Sequence, residues 1–128
     1  MRYAHTCIRV KNLDESLDFY QNALGYKLVQ KLDYPEDKFT LAYLELEEGN
    51  GQLELTYNYG HTGYDLGNGY GHMALYTDKL ENEYERLKEA GYEITELSQL
   101  PGDPEPRFFF IKDPDGYYTE IINEKFYK

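Results

Sequence analysis

Two histidines and two glutamates recur in this chain at nearly the same spacing. Glu54 follows His5 by 49 positions, and Glu120 follows His72 by 48 positions. Each histidine opens an apolar stretch that predicts a β-strand, and each glutamate interrupts one. Burying a carboxylate in such a stretch is costly unless it is paired, hydrogen-bonded or bound to a cation. Two neutral imidazoles and two carboxylates suit a divalent transition metal, so the pattern predicts a metal site between two copies of one module.

Alternation along the strands extends this candidate site. Because side chains two positions apart point to the same side of a strand, His5 shares a face with Arg9, and Glu54 shares one with Asn58. If His5 and Glu54 reach one metal, a guanidinium and an amide lie beside it. Those groups suit an anionic, peptide-like substrate. Cys7 also lies on the His5 face, but nothing repeats it in the second half, so it ranks well below the four residues as a ligand.

Composition restricts the classes of partner. The chain has 128 residues, which fits one domain with a single core, and a formal net charge of −11. This acidity argues against nucleic acid and against an anionic membrane surface, because both require a basic face. Cys7 is the single cysteine, so no intramolecular disulfide forms. The N-terminal segment carries charges throughout and lacks the long apolar run of a signal peptide or a membrane anchor. We therefore expect a cytoplasmic protein.

The chain is weakly similar to itself. At an offset of 67 positions His5 falls on His72, and after a one-residue deletion near Leu24 an offset of 66 places Glu54 on Glu120. A single gap therefore aligns both His/Glu pairs together with the boundaries of the predicted elements. We interpret this as a duplication of modules of roughly 60 residues.

Both halves are predicted to contain the element order βαβββ. In the first half, Asn12 and Glu15 have the spacing of a capping box, and Gly25 suits the end of a helix. Its strands are predicted at residues 3–10, 26–31, 40–47 and 52–58, and its helix at 13–24. The second half is predicted to have strands at 72–77, 93–97, 107–112 and 117–123, and a helix at 80–90. We expect one domain, 1–128, with modules at about 1–58 and about 71–128 and a linker at 59–70.

Several segments in this order carry a family resemblance. They cover residues 5–10, 17–20, 24–25, 54–58, 70–74 and 113–117, and the most specific are ELTYN at 54–58 and YGH at 70–72. Together they resemble the glyoxalase I, or lactoylglutathione lyase, family of the vicinal oxygen chelate superfamily, over nearly the whole chain. The resemblance implies an α+β fold of two βαβββ modules, of the glyoxalase/bleomycin-resistance/dioxygenase type, with paired curved mixed sheets.

The resemblance also implies a metal centre. His5, Glu54, His72 and Glu120 would hold the ion, with Ni(II) or Co(II) favoured over Zn(II) because the chain lacks the insertions of the longer zinc-type enzymes. A homodimer with shared active sites is implied, His5 and Glu54 coming from one chain and His72 and Glu120 from the other. The residues by themselves leave open whether the modules meet within one chain or across a dimer. Histidine and carboxylate ligands also do not determine which of these metals is bound.

The implied reaction is the detoxification of methylglyoxal by a lyase. The enzyme would isomerise the hemithioacetal of methylglyoxal and glutathione to S-lactoylglutathione through a cis-enediolate. Glu120 would be the catalytic base, with Glu54 as the candidate second acid or base on the opposite side. Arg9 and Asn58 would grip the γ-glutamyl end of glutathione, the thiol co-substrate.

One departure from the family concerns the thiol. Many members carry a lysine in the loop before the penultimate strand, whereas residues 100–107 here contain none, and Arg107 is the candidate replacement. Another low-molecular-weight thiol is therefore the alternative to glutathione. Alternative functions within the superfamily are a metal-dependent dioxygenase, a thiol transferase, and a metal-free drug-binding module. A fourth protein ligand disfavours the dioxygenase and the thiol transferase, which would use three. The repeated His/Glu pairs disfavour the binding module, which does not need them.

Overall fold

A computed structural model describes residues 1–127 of the chain; Lys128, with which the predicted second module ends, lies outside the described residues. The chain separates into two compact units, Met1–Asp65 and a second that begins at Leu66, so the boundary falls inside the predicted linker. The predicted α+β fold is confirmed, with helices and mixed sheets in the order expected of two related modules. Neither α-helix of residues 1–127 is long and apolar enough to cross a membrane.

The first unit is a four-stranded sheet with one helix. Its elements are β1 (His5–Arg9), α1 (Leu13–Asn22), β2 (Lys27–Tyr34), β3 (Phe39–Glu45) and β4 (Gln52–Asn58). The strand order is β1-β4-β3-β2, in which β1 and β4 are parallel and the other neighbours are antiparallel. The parallel pair exists because the chain crosses over through α1 before it returns to the sheet. This crossover makes β4 an interior strand, with a neighbour on each side.

Asn12 and Gly25, predicted to mark the start and the end of α1, have the expected conformations in the structure. The side chain of Asn12 accepts a hydrogen bond from the backbone of Glu15 at 2.9 Å, which satisfies one of the open donors of the first turn. Gly25 lies three residues beyond the last helical residue with φ of +78°, a conformation that glycine adopts without strain. The helix buries Leu17 and Tyr20 on its apolar stripe.

The second unit repeats the arrangement with three continuous strands. It contains β5 (Met73–Thr77), α2 (Leu80–Glu89), β6 (Phe108–Lys112), β7 (Tyr118–Asn123) and a short 3-10 helix (Glu124–Phe126). The strand order is β5-β7-β6, with β5 and β7 parallel and β6 and β7 antiparallel. Thus β7, like β4, has a strand on each side.

The strand predicted at 93–97 does not form as a continuous strand. This segment pairs with β6 only through isolated bridges, Ile94 with Ile111 and Ser98 with Phe108. Between them the Thr95 hydroxyl accepts a hydrogen bond from the Phe110 backbone at 2.9 Å, a role that a carbonyl of a regular ladder would take. The side chain therefore competes with backbone pairing, and the ladder is interrupted.

Candidate active site

The parallel pairing of β1 with β4 brings His5 to Glu54. The register sets Gln52 opposite His5 and Glu54 opposite Cys7, and the His5 side chain spans the remaining offset. His5 Nε2 lies 3.2 Å from Glu54 Oε2, and the two side chains are 37% and 11% exposed. The imidazole therefore faces solvent while the carboxylate is largely buried.

The pairing of β5 with β7 brings His72 to Glu120 in the same way. Glu120 stands opposite Ala74, and His72 directly precedes the first residue of β5. His72 Nε2 lies 3.0 Å from Glu120 Oε1, with side chains 40% and 19% exposed. Each predicted pair is thus assembled within its own unit, by equivalent strands, with an exposed imidazole and a more buried carboxylate.

Glu54 is held by hydrogen bonds to both of its carboxylate oxygens. The Tyr43 hydroxyl donates to Oε2 at 2.6 Å, and the Thr56 hydroxyl donates to Oε1 at 2.8 Å. Burial alone raises the pKa of Glu54, but the bonds from Tyr43 and Thr56, aided by Cys7 and His5, outweigh burial and the net pKa is lowered. The same hydrogen bond raises the pKa of Tyr43 to about 12, because the carboxylate stabilises the protonated phenol.

Cys7 lies beside this carboxylate but is a weaker candidate for a metal ligand. Its Sγ is 3.3 Å from the Thr56 hydroxyl, and burial is the main cause that raises the pKa of the thiol. A thiol that stays protonated at neutral pH is a poor metal ligand, since the thiolate is the form that binds metals. The geometry agrees with the low rank that the sequence assigns to Cys7 as a ligand.

Glu120 has different surroundings from Glu54. Within residues 1–127 its hydrogen bond comes from His72 alone, through Oε1. The residue opposite Glu120 in β6 is Phe110, whose side chain has no hydrogen-bond donor. The Phe110 ring instead packs edge-to-face against His72, with centroids 4.8 Å apart.

The two residues predicted to bind substrate lie on the first sheet. Arg9 ends β1 as an exposed residue, on the same face as His5 and Cys7. Asn58 ends β4 and donates a hydrogen bond from Nδ2 to the Tyr64 hydroxyl at 3.1 Å. Asn58 is therefore tied to the loop that follows β4.

Arg107 is committed to its own loop. Its guanidinium donates from Nε and Nη2 to the two carboxylate oxygens of Asp103, at 2.8 and 2.6 Å, and lies 4.2 Å from the centroid of the Phe126 ring. The hydrogen bond to Asp103 is the main cause that raises the pKa of Arg107, and the charge of Glu120 adds to it. These contacts join Arg107 to its own loop, and its role as a replacement for the family's lysine stays a prediction.

Each His/Glu pair has donors suited to a divalent metal. Around an ion with ligand bonds of about 2.1 Å, adjacent ligand atoms lie roughly 3.0 to 3.4 Å apart, which is the separation found within each pair. No group of three or more His, Cys, Asp or Glu side chains placed to hold a metal occurs within residues 1–127. Each unit therefore supplies two neighbouring positions with atoms suited to bind a metal.

Two residues that support the site were not identified from the sequence, Tyr43 and Thr56. Thr56 lies two positions after Glu54 and so shares its strand face, a signal that was present in the sequence. Tyr43 stands opposite Glu54 across the β3–β4 ladder, so its contact depends on the exact pairing of the two strands. That pairing is set by the length of the connecting loop.

Comparison with known proteins places this geometry in context. The Glyoxalase/Bleomycin resistance protein/Dioxygenase superfamily model matches residues 2–121. The chain is 44% identical over 127 residues to a lactoylglutathione lyase of Neisseria meningitidis serogroup A, covering 98% of this chain and 92% of that protein. It is 40% identical over 129 residues to a lactoylglutathione lyase of Escherichia coli O157:H7, with 98% and 94% coverage.

A solved structure shows the same similarity in three dimensions. The trypanothione-dependent glyoxalase I of Leishmania major superposes with a TM-score of 0.87 at 39% sequence identity. The match covers 98% of this chain and 88% of that chain. The similarity therefore extends over both units and not over one motif.

The Asp103–Arg107 ion pair predicts a pH dependence of stability. The hydrogen bond from Arg107 is the main cause that lowers the pKa of Asp103 from 3.8 to about 2. A depressed folded-state pKa stabilises the fold above the unfolded-state pKa, and this contribution disappears as pH falls from about 4 to about 2. We expect Asp103→Asn to be less stable than wild type in urea unfolding at neutral pH, with a difference that shrinks over this acidic range. Exposed Glu36→Gln is the control, and a pH-independent difference would contradict the assignment.

Proposed function

The chain belongs to the Glyoxalase/Bleomycin resistance protein/Dioxygenase superfamily, and we propose that it is a metal-dependent glyoxalase I acting on the hemithioacetal of methylglyoxal and glutathione. The membership confirms the resemblance found in the sequence, and the relatives confirm the expected class of enzyme, lactoylglutathione lyase. The observation that carries the proposal is the pair of equivalent His/Glu contacts, at 3.2 and 3.0 Å. The product would be S-lactoylglutathione, and the role would be methylglyoxal detoxification. A cytoplasmic location stays a prediction from the sequence.

His5, Glu54, His72 and Glu120 are the residues we propose as metal ligands. Both imidazoles present Nε2 to the neighbouring carboxylate, so each pair places one nitrogen and one oxygen close together, at 3.2 Å and 3.0 Å. Such mixed nitrogen and oxygen ligands suit nickel and cobalt, which we favour over zinc because of the compact, bacterial-type length of the chain. When bound, the ion would act as a Lewis acid that polarises the substrate oxygens and makes the adjacent C–H bond more acidic.

Glu120 is the residue we propose as the catalytic base. It would remove the proton from the carbon that carries sulfur and return a proton to the neighbouring carbon, so that no redox change is needed. If His72 and one carboxylate oxygen of Glu120 bind the ion, the other oxygen of Glu120 would take the transferred proton. Glu54 is the proposed second acid or base. General-base help of this kind contributes about 100- to 10,000-fold to a rate.

Arg9 and Asn58 are the residues we propose for binding the thiol. In a chain with a net charge of −11, an exposed guanidinium on the face of the proposed ligands is a specific attraction for a carboxylate. We propose glutathione as the thiol because the bacterial relatives are named lactoylglutathione lyase. The Leishmania major glyoxalase I, described as trypanothione-dependent, shows that a similar chain serves a different thiol.

We further propose that two subunits share each active site. Each unit supplies one His/Glu pair. In our proposal, a site with four ligands combines the first unit of one copy of the chain with the second unit of another copy. In the proposed homodimer, His5 and Glu54 of one subunit join His72 and Glu120 of the other. The module boundaries, about 1–58 and about 71–128, stay a prediction from the internal repeat of the sequence.

The central test of the proposed function is Glu120→Gln. The amide keeps the shape of the side chain and an oxygen atom that can bind the metal, so we expect most of the nickel to be retained. Because the amide cannot accept the substrate proton, the rate should fall about 100- to 10,000-fold. Loss of hemithioacetal absorbance with added Ni(II) and the bound metal content measure the two effects. Exposed Glu124→Gln is the matched control. Normal turnover by Glu120→Gln would exclude this base, and a wild-type protein inert with nickel would overturn the activity.

Complementation between two inactive variants tests the shared site. His5→Gln and His72→Gln should each be inactive alone, because each lacks one ligand in every site. In a mixed dimer with shared sites, one site combines both substitutions and the other has neither, so about a quarter of wild-type activity should return on random subunit exchange. Chains with different tags report the fraction of mixed dimers. Mixed dimers without activity would place each complete site within one chain.

The role of Arg9 predicts a change in KM that depends on the thiol. Arg9→Met keeps the aliphatic length and removes the charge, so loss of a charge-assisted bond should raise KM for the glutathione hemithioacetal about 10-fold with little change in kcat. Hemithioacetals of thiols without the γ-glutamyl carboxylate should not show this difference. Exposed Arg2→Met provides the control, and an unchanged KM in Arg9→Met would remove Arg9 from the substrate site.

A further inference from the structure

The two proposed ligand glutamates occupy equivalent positions but have different neighbours. Each lies in the interior strand of its sheet, opposite a residue of the antiparallel strand: Tyr43 for Glu54 and Phe110 for Glu120. Both aromatic rings also pack edge-to-face on the histidine of the same pair, with centroids 5.5 and 4.8 Å apart. The ring is thus common to both sites, and the hydroxyl is present only beside Glu54.

The same difference recurs along the interior strand. Two residues after Glu54 stands Thr56, whose hydroxyl donates to Oε1 at 2.8 Å. Two residues after Glu120 stands Ile122, an apolar side chain on the same face. Together with the 2.6 Å bond from Tyr43, both oxygens of Glu54 have a protein donor, whereas within residues 1–127 Glu120 has a donor on Oε1 only.

We propose that Tyr43 and Thr56 are positioning residues that fix Glu54 as a metal ligand and thereby leave the transfer of the substrate proton to Glu120. A carboxylate restrained at both oxygens keeps its orientation toward the ion but cannot rotate to follow a proton between two carbons. Hydrogen-bond partners of this kind orient ligands, and their loss typically costs about 10- to 100-fold in metal affinity or activity. The inference rests on the proposed function and goes beyond it, because it separates the roles of two residues of the same type.

The test compares metal affinity with turnover in variants that differ by single groups. Tyr43→Phe gives Glu54 the neighbour that Glu120 has, and we expect its affinity for Ni(II), measured by competition with a chromophoric chelator, to fall about 10- to 100-fold. At saturating nickel its kcat should stay within about threefold of wild type. The absorption spectrum of the Co(II)-loaded protein should also change, because the ligand carboxylate is less restrained.

The reciprocal variant reverses the effect. Phe110→Tyr places a hydroxyl opposite Glu120, so that the base becomes restrained, and we expect kcat to fall on the order of 10-fold without loss of Ni(II) affinity. Thr56→Val should weaken metal binding in the same direction as Tyr43→Phe, and Thr56→Ser, which keeps the hydroxyl, should restore it. Tyr57→Phe removes a tyrosine hydroxyl from the opposite face of β4 and serves as the control for both measurements.

The outcomes separate this inference from the proposed function. Wild-type protein that binds nickel and turns over, together with unchanged nickel affinity in Tyr43→Phe and Thr56→Val, would overturn the inference alone. A wild-type protein that binds no nickel would overturn both. If Tyr43→Phe instead lost kcat with intact nickel affinity, Glu54 would be the residue that moves the proton and the proposed division would be reversed.

Discussion

The candidate site depends on the way in which a carboxylate is kept inside a β-sheet. Glu54, counted as a whole residue, is only 8% exposed, and it lies between Leu53 and Leu55, which belong to the core. A buried carboxylate without partners is so costly that the residue would be protonated or the strand would be displaced. Because β4 is an interior strand, partners can come from both sides: His5 from β1 and Tyr43 from β3. An edge strand would offer partners from one side only.

The crossover helices are what make the glutamate strands interior. In each unit the first strand joins its sheet in parallel to the last, and a parallel pair requires a connection such as α1 or α2. The first strand then covers the edge that the last strand would otherwise expose. As a result, a histidine at the start of β1 or just before β5 reaches a glutamate in the neighbouring strand, although nearly fifty residues separate them. The spacing from histidine to glutamate is nearly the same in both halves of the sequence because the same two strands are paired in each unit.

Much of this arrangement could be predicted because it depends on short-range patterns. The bounds of β4 agree with the predicted strand at 52–58, and the capping signal at Asn12 marks the start of α1. Alternation correctly places His5, Cys7 and Arg9 on the face opposite the buried Ile8. What these patterns supply is the face of each side chain, since the face depends only on whether a position is odd or even along the strand.

The partners across the sheets could not be predicted in the same way. The predicted β3 ended at residue 47, which would place Glu45 opposite Glu54, whereas the observed strand ends at Glu45 and places Tyr43 there. The shift is two residues, so the face of Tyr43 is unchanged and only its partner differs. Long-range contacts made by side chains, such as that of Arg107 with Asp103, add a second difficulty. Charge alone does not indicate whether a cation serves a substrate or its own loop.

The comparison of the two units shows how a duplicated frame comes to hold two different carboxylates. The strand order, the position of the glutamate and the aromatic ring beside the histidine are alike in both, so these features follow from the fold. The side chains that face the carboxylate differ, with a tyrosine and a threonine in one unit and a phenylalanine and an isoleucine in the other. An exchange of tyrosine for phenylalanine alters hydrogen bonding without moving the carboxylate, because the two side chains fill nearly the same space. In the proposed enzyme, the neighbours of the two carboxylates would thus separate the task of holding a metal from that of moving a proton.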